Sequence, residues 1–334
     1  MKQIVALVVA AALILVSSQA FARDRDDVPD REQIDVPRVL LINSLLPGTA
    51  QIAMGRRGEG IAIMATSLSL RIAGITMMLI DARNSVSAQG GLGFYREDGR
   101  TYLLPPDDSG LLAETWLGNT GMLLALHGAL LGAYSAHDAY LELVVPGRPG
   151  AMPLAEALAA PYRPANVLNW SVLPVLGFLT FASLSYDDIL ALGEFFRADR
   201  VDFWGAAVPP LAGLALNTAF SLAFVHANAA AEEYLYRGVQ LGATGVARSS
   251  ISFGMAHLPN MLMPGVSIED TLIQTAFAGL FGWYVGQMTV NSNFDLGKAI
   301  ALHFWNNVIA FTLGYLTEQA GAEPGFSWSV DIAY

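Results

Sequence analysis

Ionisable and amide side chains recur at three places in an otherwise apolar stretch of the chain. Glu232, Glu233 and Arg237 form one set, Phe253 and His257 a second, and His303 and Asn307 a third. Residues four apart share one face of a helix. Such groups are costly in lipid and are tolerated where they face a protein interior or a wet cavity. Three polar stripes on three helices therefore imply one shared cavity. Glu233 and Arg237, one turn apart, suit an ion pair. Glu232 points about 100° away around the helix and stays available for another task. A carboxylate sealed from water is a stronger base, so Glu232, with His257 sharing the work, can draw a proton from water. His303 and Asn307 can donate hydrogen bonds to the oxyanion that forms when that water attacks a carbonyl. Losing one such donor costs ~2.7–4 kcal/mol. A base, a water-orienting imidazole and oxyanion donors are what peptide hydrolysis needs, without a serine, a threonine or a metal.

The elements that carry these groups belong to a membrane protein. Of 334 residues, 54% are apolar and only 14% charged, against about 25% charged in an average soluble domain. Mean hydropathy is +0.44. The balance of 29 acidic to 18 basic residues, a net charge of −11, argues against a nucleic-acid partner, which favours a basic face. With no cysteine there is no disulfide, thiolate nucleophile or Cys-ligated metal. A bilayer core needs about 20 mostly apolar helical residues. Uncharged runs at 115–137, 164–186, 203–231, 271–294 and 299–317 meet or approach that length, and 60–80 does so with Arg71 inside it. Arg71 is expected to face protein. The run 249–268 is broken by Pro259 and Pro264, and 39–55 by Pro47-Gly48, the latter reading as re-entrant or interfacial. The expected fold is an all-α polytopic bundle of about six to eight transmembrane segments around an intramembrane catalytic cavity.

Lys2, the apolar run Ile4–Val16 and Ala20-Phe21-Ala22 together read as a secretory signal covering 1–22 and cleaved after Ala22; an uncleaved anchor helix is the alternative. Ten of the sixteen residues from Arg23 to Arg38 are ionisable, so 23–38 is expected outside the membrane. Residues 39–150 read as an N-terminal membrane region with two spans and a polar loop. A Pro/Gly-rich stretch from Pro146 to Pro164 sets the boundary with a core at 151–334.

Glu-Glu-x-x-x-Arg at 232–237, Phe-x-x-x-His at 253–257 and His-x-x-x-Asn at 303–307, in that order, resemble the three motifs of the CPBP family. These are intramembrane endopeptidases, bacterial Abi-type, related to the eukaryotic CAAX prenyl proteases. The resemblance covers roughly Pro161 to Leu316. It implies an all-helical bundle, with Glu232 and His257 catalytic, His303 and Asn307 as oxyanion donors, and Glu233, Arg237 and Phe253 in support. It also implies a membrane-associated protein or peptide substrate in the lipid bilayer, no nucleic acid and no cofactor. With the signal, it places the protein in a bacterial inner membrane as a multi-pass chain.

Three other readings compete. Glu232, His257 and His303 could bind Zn²⁺ with a water in the fourth position, although there is no His-Glu-x-x-His. A non-catalytic scaffold or immunity-type protein could retain the fold. A transporter also uses polar groups on broken helices, but no internal repeat supports one. Taken singly, each motif has a structural reading as well: an ion-pair cluster ending a helix, a capping imidazole, or interhelical hydrogen bonds. Asn217, His226 and Asn228, on the helix of the first motif, read as structural, as do His127 and His137.

Overall fold

The computed structural model describes residues 34–85, 95–97, 99–102, 116–145, 151–183, 186–262 and 266–319. The expected signal, residues 23–33 of the charged segment and the 146–150 part of the Pro/Gly boundary lie outside these residues. The described chain is helical apart from two short antiparallel hairpins.

The N-terminal region opens with α1 (Val36–Leu45), capped by the Asp35 carboxylate, which accepts from the Arg38 amide at 3.3 Å. After the Pro47-Gly48 turn come α2 (Thr49–Ala53) and the long α3 (Arg57–Ser85). Gly48 sits at φ +96°, and a Cβ there would collide with the backbone oxygen of Gly60, so only glycine lets this turn lie against α3. β1 (Tyr95–Glu97) and β2 (Arg100–Tyr102) pair Tyr95 with Tyr102, and α4 (Trp116–Leu143) packs along α3. Arg71 does face protein: it lies across Gly128 and Gly132 of α4, where a Cβ at either position would meet its side chain.

The C-terminal region runs through α5 (Leu154–Ala159), a 3₁₀ turn at Ala160–Tyr162, α6 (Pro164–Val167), α7 (Leu173–Ser183) and α8 (Tyr186–Arg197). The run 164–186, expected as one span, is therefore two short helices. The break has a local cause: Asn169 accepts from both the amide and the hydroxyl of Ser171 at 3.0 and 2.6 Å and donates to Asn166 O at 2.6 Å. These bonds give the backbone a turn in place of the helical ladder. Likewise, 203–231 does not begin as helix. β3 (Val201–Phe203) and β4 (Ala206–Val208) form a hairpin first, and the helix starts after Pro209.

That helix, α9 (Pro210–Glu232), continues through a π-wound segment, Glu233–Gln240, into α10 (Leu241–Thr244). After Gly245, at φ +81°, come α11 (Val246–Met255) and a 3₁₀ turn at Leu258–Leu262, then α12 (Ile268–Asn291) and α13 (Gly297–Gln319). Hairpin β1–β2 reaches the start of α12, where the Thr101 amide donates to Glu269 at 2.9 Å.

Among the described residues, three helices are long and apolar enough to cross a membrane: Arg57–Asp81, Pro210–Thr244 and Gly297–Thr317. The outward surface fits that reading. Leu79, Trp170, Phe178, Phe181, Leu211 and Leu280 are all exposed, whereas the charged motif residues are inside. Exposed apolar side chains and buried charged groups suit a lipid solvent.

Candidate active site

Three helices and one irregular turn bring the motif residues together. The first motif lies where α9 gives way to the π-wound segment; there the Leu241 amide donates to Tyr236 O, five residues back. A π turn widens the helix and is often found at functional sites. It lets Glu233 and Arg237 turn inward together, with Arg237 Nη1 3.1 Å from Glu233 Oε1. The second motif ends α11, and the third lies in the first half of α13.

His303 is the link. Its Nδ1 lies 2.8 Å from Glu233 Oε1 and its Nε2 lies 3.4 Å from Glu232 Oε2. One imidazole thus addresses both glutamates, and Glu233 Oε1 receives Arg237 and His303 together. Glu232 Oε2 nevertheless keeps no hydrogen-bonding partner among the described residues. A chemical consequence follows from the donor count. If Nδ1–H is given to Glu233, a neutral His303 would set its Nε2 lone pair against the lone pairs of an ionised Glu232. Attraction between them requires one more proton, carried on Nε2 or on Glu232.

Phe253 packs between the remaining groups. The Arg237 guanidinium carbon stands 4.1 Å from its ring centroid, a cation–π contact in a dry setting. The rings of His257 and His303 meet the same Phe253 ring edge-on at 5.1 and 5.8 Å. His257 Nδ1 is 2.8 Å from Phe253 O, so in the neutral ring Nδ1 carries the hydrogen and Nε2 keeps its lone pair. Asn307, one turn beyond His303, accepts at Oδ1 from Asn306 at 3.1 Å, while its Nδ2 has no hydrogen-bonding partner among the described residues. All seven motif side chains are buried, none more than 6% exposed.

Sequence reasoning did not identify Phe281 of α12, whose ring lies 5.8 Å from His303. It also passed over the role of Tyr162 in the 3₁₀ turn, which packs edge-on to Trp305, Phe304 and His226. An aromatic residue in an apolar run carries no signal of its own. Trp305 is held by donating to Pro161 O at 2.8 Å, which ties the Ala-Pro-Tyr turn to α13. Among the described residues no three His, Asp or Glu side chains are grouped to hold a metal ion. The trio Glu232, His257 and His303 therefore does not fit the zinc reading.

An acid, imidazoles and a carboxamide buried between apolar helices define the chain as a membrane protein with a polar site built into its helical core. The family model described as type II CAAX prenyl endopeptidase Rce1-like matches residues 214–309. That matched segment holds all three motifs. Comparison with curated proteins and with solved structures finds no match.

Proposed function

We propose that the protein is a glutamate-type intramembrane endopeptidase. The observation that carries this reading is the single imidazole of His303, set between Glu232 and the Glu233–Arg237 pair inside an apolar bundle. Glu232 is the general base. It accepts a proton from a water oriented by the His257 Nε2 lone pair, and the resulting hydroxide attacks the scissile carbonyl carbon. The oxyanion is met by Asn307 Nδ2–H and by a proton on His303 Nε2. Glu232 then passes its proton to the leaving nitrogen, the C–N bond breaks, and the acid and amine products separate. Glu233 and Arg237 position His303, and Phe253 keeps Arg237 and both imidazole rings in place. The site sits within the bilayer of a bacterial inner membrane, in a bundle of about six to eight spans, and takes a membrane-associated protein or peptide.

The test is comparative membrane proteomics of wild type against Glu232→Gln. Termini generated by the wild type are expected to vanish in the variant, because loss of a general base lowers rates by about 10²–10⁴-fold. Persistence of every such terminus would overturn the assignment. Strong chelators are expected to leave wild-type cleavage unchanged. Loss of cleavage on chelation, restored by added Zn²⁺, would move the chemistry to a metal.

A further inference from the structure

Asn228 was read from sequence as structural, yet its surroundings give it no structural task. It is 0% exposed near the C-terminal end of α9. Neither its Oδ1 nor its Nδ2 has a hydrogen-bonding partner among the described residues. Burying a carboxamide unsatisfied is costly, and a native protein tolerates the cost where function uses the group.

Its position points to that use. Helices α9 and α13 run antiparallel: Phe224 meets Phe311 at 5.3 Å between ring centroids, and Glu232 meets His303 at 3.4 Å. Residues 224, 228 and 232 are successive one-turn steps on α9, as 311, 307 and 303 are on α13. Asn228 is therefore level with Asn307, one turn from the glutamate and imidazole. Between them these two carboxamides offer three unpartnered polar atoms: Asn228 Oδ1, Asn228 Nδ2 and Asn307 Nδ2.

We propose that Asn228 belongs to the substrate site and pairs with Asn307 to hold a peptide group beside Glu232 and His303. A carboxamide presents one acceptor and a donor group on the same planar frame, which is the complement of a peptide bond. The contact is to main chain, so the ligand class is any peptide segment whose N–H and C=O are free. A transmembrane helix uses both groups internally, so the segment must be locally unwound. This inference rests on the endopeptidase reading and extends it by one residue and one substrate property.

The chain has no cysteine, so single cysteines report without background. Asn228→Cys and Asn307→Cys, each in the full chain in proteoliposomes, are labelled with aminoethyl methanethiosulfonate, a small hydrophilic reagent. Ala219→Cys, on the exposed face of α9, is the hydrocarbon control. Both site cysteines are expected to react at least ~10-fold faster than the control, since labelling needs a hydrated thiolate. A random-sequence octapeptide library is expected to slow labelling of Asn307→Cys, which keeps the Asn228 carboxamide, and to protect Asn228→Cys, which lacks it, far less. Labelling no faster than Ala219→Cys, or labelling of Asn307→Cys unaffected by peptide, overturns the proposal. A second variant separates a folding role from a binding role. Asn228→Leu is expected to keep or raise the melting temperature while abolishing peptide protection of Asn307→Cys. A fall of several degrees would make Asn228 structural and end the proposal. Labelling requires no turnover and is repeated with Glu232→Gln, so failure of the catalytic reading and failure of the Asn228 inference give different results.

Discussion

Glu233 decides more at this site than its place beside the proposed base would suggest. Its Oε1 receives both Arg237 and His303, so its loss strands a guanidinium that is 1% exposed and frees the imidazole to turn. Removing one partner of a buried pair destabilises by about 3–5 kcal/mol. Glu233→Ala is expected to show a loss of that order in detergent unfolding, together with loss of cleavage. Glu232, by contrast, stands 3.4 Å from His303 and keeps Oε2 without a hydrogen bond among the described residues. Glu232→Gln is therefore expected to remove activity while leaving the melting temperature near wild type. Equal destabilisation by the two variants would contradict this division between positioning and base.

At the scale of elements, the site depends on how closely α11 lies against α12. Gly254 follows Phe253 directly, and a Cβ there would stand 2.6 Å from Thr275 O and 3.1 Å from Gly279 N. Both contacts are backbone and cannot yield by a change of rotamer. Gly254→Ala is expected to push the helices apart, costing about 1–3 kcal/mol as overpacking does. It should also move Phe253 and His257 away from His303. The check is paired: melting temperature and cleavage rate are both expected to fall, and an unchanged rate would show that the second motif tolerates the displacement. The π-wound segment acts in the same way on α9, since its wide turn brings Glu233 and Arg237 to one side while Tyr234 packs toward α4 against Tyr134 and His137.

Across the whole molecule, charged networks are buried within an otherwise apolar core while many large apolar side chains are exposed, and the N-terminal region shows this as clearly as the site does. Arg56 is buried against Glu59, Asp138 and Glu142 at 2.5, 2.6 and 2.9 Å. Gln51 donates to Asp138 at 2.9 Å, and the single Ser135 hydroxyl hydrogen is shared between the oxygens of Asn43 and Gln51 at 3.0 and 2.7 Å. One cation thus fastens the start of α3 to the end of α4, and the Pro47-Gly48 turn is bound into the same network through the Gly48 amide, which donates to Ser135 at 2.9 Å. Arg56→Met leaves three carboxylates without their cation and is expected to destabilise the fold by about 3–5 kcal/mol. An unfolding free energy within ~0.5 kcal/mol of wild type would show that the network is ornamental to stability.

Much of this was legible in the residue order. Helical spacing alone puts 233 near 237, 253 near 257 and 303 near 307, and the cost of charge in hydrocarbon turns those faces inward. The break at Pro47-Gly48 and the 3₁₀ turn after His257 follow from proline and glycine chemistry. Other features were not legible, because they depend on side-chain hydrogen bonds that hydropathy does not register or on groups far apart in sequence. The run 164–186 is apolar enough to span, yet local hydrogen bonds of Asn169 divide it. Spacing on one helix separates Glu232 from Glu233 by 100°, but only the approach of α13 sets a single imidazole between them. The partner of Arg237 on its own helix was readable, whereas the Phe253 ring beneath it was not. Residue order thus determined the chemical groups, the helices that bear them and their solvent. Packing decided which groups meet, because the rotation of one helix against another is fixed by side chains that interlock across the interface.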